Sequence, residues 1–152
     1  MIKRKISAAA LTMSMYPIIL GFILNPYGEK SFTPFSLFFL DSISYSVTYW
    51  IFSSPIILLY GGFTSWISDW ISLKVTSKWK RNNAFHLFSF VLHLLFGSVL
   101  GKISLIAAFL FFVMDRLIEW KVKKITWLKT LLFSLVPILV FLIVLFLSRL
   151  KG

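Results

Sequence analysis

The chain has 152 residues, 59% of them apolar, 18% aromatic and only 14% charged, with a mean hydropathy of +0.88. Soluble domains run at roughly 45–50% apolar and about 25% charged, so an ordinary soluble domain is excluded, as is a disordered chain, which needs low hydrophobicity. The absence of cysteine removes disulfides, thiolate metal sites and thiol catalysis.

What remains is a small integral membrane protein: all-α, a polytopic membrane helix bundle forming one domain over 1–152. Sixteen Lys/Arg against five Asp/Glu give +11. In a soluble protein this balance points to nucleic acid. Here the cations instead sit beside apolar runs: Lys3, Arg4 and Lys5; then Lys74, Lys78, Lys80 and Arg81; then Arg116, Lys121, Lys123, Lys124 and Lys129. That placement follows the positive-inside rule and suits anionic lipid headgroups. The expected partner is therefore the bilayer, not nucleic acid.

A spanning helix needs about 20 mostly apolar residues. The first candidate runs from Ile6 to Leu24. Its small residues, Ala8 to Ala10, open the run rather than close it, so it reads as an uncleaved span rather than a signal peptide. Pro17 is expected to kink it. Asn25 to Pro34 is a breaker-rich external loop. The second crossing is placed at 45–67, with 35–44 as an interfacial lead-in. Pro55 and the Gly61-Gly62 pair make this the helix most prone to bend or break. After it, Trp66 to Arg81 reads as an in-plane amphipathic helix, with Trp66, Ile67, Trp70, Ile71 and Leu73 on one face, or as a loop.

Ala84 to Met114 is too long for one crossing, at roughly 46 Å for 1.5 Å per residue. A hairpin solves this: 84–100 crosses outward, Gly101-Lys102 turns, and 103–120 returns. Five spans then place twelve Lys/Arg on one side and four on the other. The four-span alternative gives nine and six, and leaves Lys102 in lipid at a cost of about 2.5–3.5 kcal/mol. Five spans are favoured. The last, over 129–147, is almost wholly Leu, Ile, Val and Phe from Leu131 to Leu147, with Pro137 as a possible bend. Five of the six tryptophans fall at the inner boundary, where aromatic belts form.

Ionisable groups inside a membrane are candidates for function. His86, Ser89 and His93 lie at i, i+3 and i+7 on one helical face, and equal distance from the turn sets His86 level with Asp115 or Arg116. The candidate intramembrane polar site is therefore His86, Ser89, His93 and Asp115, with His86 and Asp115 as a proton-relay pair, as half of a metal site, or as a satisfied structural contact. The two histidines are about 10.5 Å apart along the axis, too far to share an ion. Asp41, Ser42, Ser46, Tyr49 and Ser53 either line a polar path or bond back onto their own helix. Gly97-x-x-x-Gly101 fits close helix packing, between the hairpin arms or in a homo-oligomer. Asp115, Arg116 and Glu119 form a local ion-pair cluster, and Glu119 with Lys123 has the favoured i, i+4 order.

The stretch Tyr60-Gly61-Gly62-Phe63-Thr64-Ser65-Trp66-Ile67-Ser68-Asp69 resembles a pattern in small multi-spanning bacterial membrane proteins, families of uncharacterised function from Gram-positive bacteria. The resemblance covers these ten positions and the span layout. It implies a multi-pass protein of a bacterial cell membrane and carries over no functional residues.

No catalytic, metal or cofactor motif is present. The leading expectation is a non-enzymatic multi-pass protein of the bacterial cytoplasmic membrane, N-terminus cytoplasmic and C-terminus external, serving as subunit or modulator of a membrane assembly. The alternatives are a small proton or cation transporter or channel, and an immunity or holin-like phage membrane protein.

Overall fold

Among the described residues, chain breakers and charge divide the apolar sequence into five helices. The computed structural model describes residues 1–25, 34–77, 82–122 and 124–149. The helices are α1 (Ile2–Ile23), α2 (Phe35–Thr76), α3 (Asn82–Val99), α4 (Ser104–Lys121) and α5 (Trp127–Arg149). No strand occurs among the described residues. Three helices, α1, α2 and α5, are long and apolar enough to cross a membrane, and α3 carries a shorter apolar stretch over Ala84–Val99.

The second helix departs from the expected boundaries. It is continuous from Phe35, so the lead-in is part of the same rod, and it ends only at Thr76. Its one irregularity is a π-helical turn at Ile57–Gly61, beginning just after one expected weak point, Pro55, and ending on the other, the Gly61-Gly62 pair. Pro55 has no N–H to return to the carbonyl of Ile51, and the hydrogen-bond ladder widens just after it. The Ile57 amide donates to the carbonyls of both Ser53 and Ser54. By contrast Pro17 and Pro137 lie inside helices assigned as α throughout.

Beyond the π turn, the expected in-plane amphipathic helix is instead the continuation of α2, with its apolar stripe outward but its polar face turned into the bundle rather than to water. Ser65, Ser68, Asp69, Ser72 and Thr76 are buried, while Trp66, Trp70 and Leu73 are exposed. Positions i, i+3, i+4, i+7 and i+11 share one side of a helix; here that side is polar and faces inward. Residues 78–81 of the expected segment lie outside the described residues.

Consecutive helices alternate in direction. At the end of α1, the Asn25 amide donates to Ser42 Oγ (2.8 Å) and to the Phe38 carbonyl (3.1 Å) near the start of α2. Gly21 allows this approach, because a Cβ there would collide with Ser46 Oγ and the Ser42 carbonyl. Helices α3 and α4 form the hairpin. Gly101 turns the chain with φ at +103°, a conformation that side chains rarely adopt. Gly97 faces Ala108 so closely that an added Cβ would lie 2.5 Å from the alanine Cβ. Ser104 Oγ closes the turn on the carbonyls of Gly97 and Gly101. Trp50 meets Phe141 with ring centroids 4.5 Å apart, joining α5 to α2.

The core where these helices meet contains Ala8, Ala9, Tyr16, Leu20, Ile57, Phe111 and Ile118. Around it lies an inverted distribution: buried serines, threonines and ionised groups within, and exposed large apolar side chains without, including most of α5.

Candidate functional site

Six ionisable side chains from three helices converge at the end of the bundle where α1 begins and α2 and α4 finish. Arg4 and Lys5 come from α1, Asp69 from α2, and Asp115, Arg116 and Glu119 from α4. Lys5 Nζ lies 2.6 Å from Asp69 and 2.9 Å from Asp115, bridging the two carboxylates. Arg4 spans the same pair, with Nε donating to Asp115 at 2.8 Å and Nη2 to Asp69 at 2.9 Å; its Nη1 reaches Glu119. Arg116 Nη2 donates to Asp69 at 2.7 Å, and its Nη1 to Glu119 at 2.5 Å.

The third arm of the site is α3. Ser89 Oγ donates to Asp69 Oδ1 at 2.6 Å and accepts from Arg116 Nη2 at 2.9 Å. The Arg116 guanidinium lies 5.2 Å from the ring centroids of both Phe85 and Phe112, a cation–π arrangement. One turn along α3, His93 Nδ1 lies 2.7 Å from the Ser89 carbonyl, and Nε2 lies 2.7 Å from Ser65 Oγ. A carbonyl can only accept, so Nδ1 carries a proton and donates. In the neutral ring, Nε2 then accepts from the serine hydroxyl.

Three cations and three anions make the cluster neutral. That balance decides whether it can exist. Isolated charges cost several kcal/mol each on leaving water, and burial is sustained only with close pairing and further hydrogen bonds. Asp69 and Asp115 are 1% and 0% exposed and Lys5 is 5%, so these partners cannot be replaced by solvent. Asp69 accepts from Arg4, Lys5, Arg116 and Ser89. It is the hub that ties α1, α2, α3 and α4 together. Cations occupy the space between the carboxylates, and among the described residues no group of three or more His, Asp or Glu converges as metal ligands.

Of the four expected polar residues, the structure gathers three. Ser89, His93 and Asp115 are buried in or beside the cluster. His86 is exposed, with its ring against Phe85 at 5.2 Å. The expected His86–Asp115 pair is replaced by Asp115 with Lys5 and Arg4. Arg116 turns toward α2 and α3, and Phe85 rather than His86 packs on its guanidinium. Arg116 and Glu119 do pair locally, but both also reach other helices; Lys123, the expected partner of Glu119, lies outside the described residues. Gly97 and Gly101 serve the hairpin.

On α2, Ser42 and Ser46 donate to the carbonyls four residues earlier, which favours the back-bonded reading over a polar path. Arg4, Lys5 and Asp69 were not among the expected site residues. The signal for Asp69 was present in the spacing of Ser65, Ser68, Ser72 and Thr76 around it, a whole helical face of small polar side chains.

Next to His93, toward the hairpin turn, lies a cavity of about 300 Å³. Ile57 and Gly61 of the π turn, Tyr16, Gly97 and Phe111 are among its walls. Tyr60 donates to the Phe96 carbonyl at 2.8 Å, and Tyr16 to the Ile103 carbonyl at 3.3 Å. Comparison of the chain with protein-family profiles, curated proteins and solved structures gives no match.

Proposed function

We propose that the chain is a non-enzymatic multi-pass protein of a bacterial cytoplasmic membrane that serves as a subunit or modulator of a larger membrane assembly. Five crossings, N-terminus inside and C-terminus outside, fit the alternation of the five helices. Among the described residues, Lys3, Arg4, Lys5, Lys74, Arg116, Lys121, Lys124 and Lys129 fall toward one end and Lys102 and Arg149 toward the other. This is the asymmetry of the positive-inside rule. Exposed Leu, Ile and Phe side chains along α5 suit hydrocarbon or a neighbouring helix.

One observation carries the reading: the ionised groups of the cluster, Arg4, Lys5, Asp69, Asp115, Arg116 and Glu119, are spent on one another. The acids and bases that an enzyme or pump would use are engaged in holding four helices together, which supports a scaffold rather than a reaction centre. Gentle detergent extraction of the tagged chain from native membranes tests this. A complex of defined stoichiometry is expected; monomer alone under several mild conditions would overturn the assembly role.

The cavity beside His93 favours a second reading, a small proton or cation transporter, because Ser89 touches both that histidine, through its carbonyl, and Asp69, through its hydroxyl. Purified protein in liposomes distinguishes the two. Flux lost in His93→Ala protein that unfolds at the wild-type temperature supports transport, whereas no protein-dependent flux removes it.

A further inference from the structure

At the cationic end, the start of α1, Trp66 of α2, Glu119 of α4, described residues of the α4–α5 link and Trp127 of α5 line an open cleft of about 780 Å³. Lys3 and Lys124 line it, the paired Arg4 and Glu119 form part of its wall, and the indoles of Trp66 and Trp127 flank it. We propose that this cleft binds the phosphate of an anionic phospholipid headgroup. The inference rests on the membrane reading above and deepens it from a general attraction to one located site.

The charge arithmetic selects an anion. Arg4 and Glu119 neutralise each other within the cluster. Lys3 and Lys124 have no carboxylate partner among the described residues, so the cleft keeps two uncommitted cations. Lys3 Nζ sits 4.8 Å from the centroid of Trp127, which holds the ammonium at the cleft wall rather than free in solvent.

The surroundings select a lipid over a free ion. Trp66 and Trp127 are 45% and 63% exposed, and exposed indoles concentrate at the headgroup level of a bilayer. Ile2, Val122 and Ile125 add apolar wall, which suits the glycerol and first acyl carbons but offers nothing to inorganic phosphate. Basic side chains near a bilayer surface each strengthen attraction to anionic lipid severalfold.

The test is native mass spectrometry of the full chain from mixed micelles containing equal dioleoyl-phosphatidylglycerol and dioleoyl-phosphatidylcholine. Retention of one phosphatidylglycerol is expected, with the preference falling about tenfold in Lys3→Gln/Lys124→Gln and unchanged in Lys102→Gln at the opposite end. The single variant Lys124→Gln, at an exposed position between α4 and α5, reports a partial fall if the double variant does not fold. No lipid preference, an undiminished preference in Lys124→Gln, or an equal loss in Lys102→Gln overturns the site. Displacement of the lipid by millimolar inorganic phosphate assigns the cleft to a free ion and also overturns it. Alkaline carbonate washing of membranes separates the two claims: a chain released by carbonate sinks the membrane reading, whereas a retained chain without lipid preference sinks the cleft alone.

Discussion

Lys5 and Asp115 stand 110 positions apart in the chain and 2.9 Å apart in space, both withdrawn from the surface. No local rule brings them together. The first turn of α1 must dock against the last turns of α4 while Asp69 arrives from α2 to share the same ammonium. The contact therefore records the assembled bundle, and its strength depends on the assembly being complete.

The glycine contacts predict two different responses to one added methyl. Gly97→Ala meets only the side chain of Ala108 within 3 Å, so it should destabilise by about 1–3 kcal/mol, and Ala108→Gly should recover much of the loss. Gly21→Ala meets the Ser42 carbonyl as well as Ser46 Oγ. Backbone yields less readily than a side chain, and Ser46→Gly should rescue it poorly. Thermal unfolding of the detergent-solubilised variants reads both.

Two fully buried serines on the same face of α2 should differ. Ser65 Oγ is the partner of His93 Nε2, whereas Ser68 Oγ donates to the Thr64 carbonyl of its own helix. Ser65→Ala leaves a buried ring nitrogen unpaired and should cost about 1–3 kcal/mol. Ser68→Ala should cost less, because the carbonyl it leaves keeps its place in the helical ladder. Equal losses would place His93 outside the load path between α2 and α3.

The hairpin sets a topology that the cysteine-free chain makes easy to read. With Gly101 reversing direction, Lys102→Cys and Lys124→Cys should react with a membrane-impermeant maleimide from opposite faces of the membrane. Labelling of both from the same face would contradict five crossings.

Much of this architecture is legible along the chain because its causes are local. Gly101 needs a conformation that favours glycine, and Pro55 withdraws a donor just ahead of the π turn. Asp115, Ser89 and His93 stand out as polar groups within apolar runs. The partners of Asp115 do not, since Arg4 and Lys5 carry the same basic signature as any topology signal, and only tertiary packing turns them inward. Asp69 is obscured for a related reason. Its neighbours Trp66, Trp70 and Leu73 read as the lipid-facing stripe of an in-plane helix, which leaves Asp69 and the serines on a water-facing side, whereas that polar side is buried against other helices. His86 is misplaced by counting residues from the turn, a measure that fixes level along the axis but leaves rotation about it open.

The central claim is that the buried cluster is a mutually dependent unit that locks α1 to α4. A double-mutant cycle on Lys5→Met and Asp115→Asn, read as unfolding free energy in detergent, tests it most directly. Each single change leaves an uncompensated buried charge and should cost about 3–5 kcal/mol, while the neutral double variant should lose clearly less than the two costs added. Strict additivity, or single losses below about 0.5 kcal/mol, would show that the two residues act independently and contradict the account.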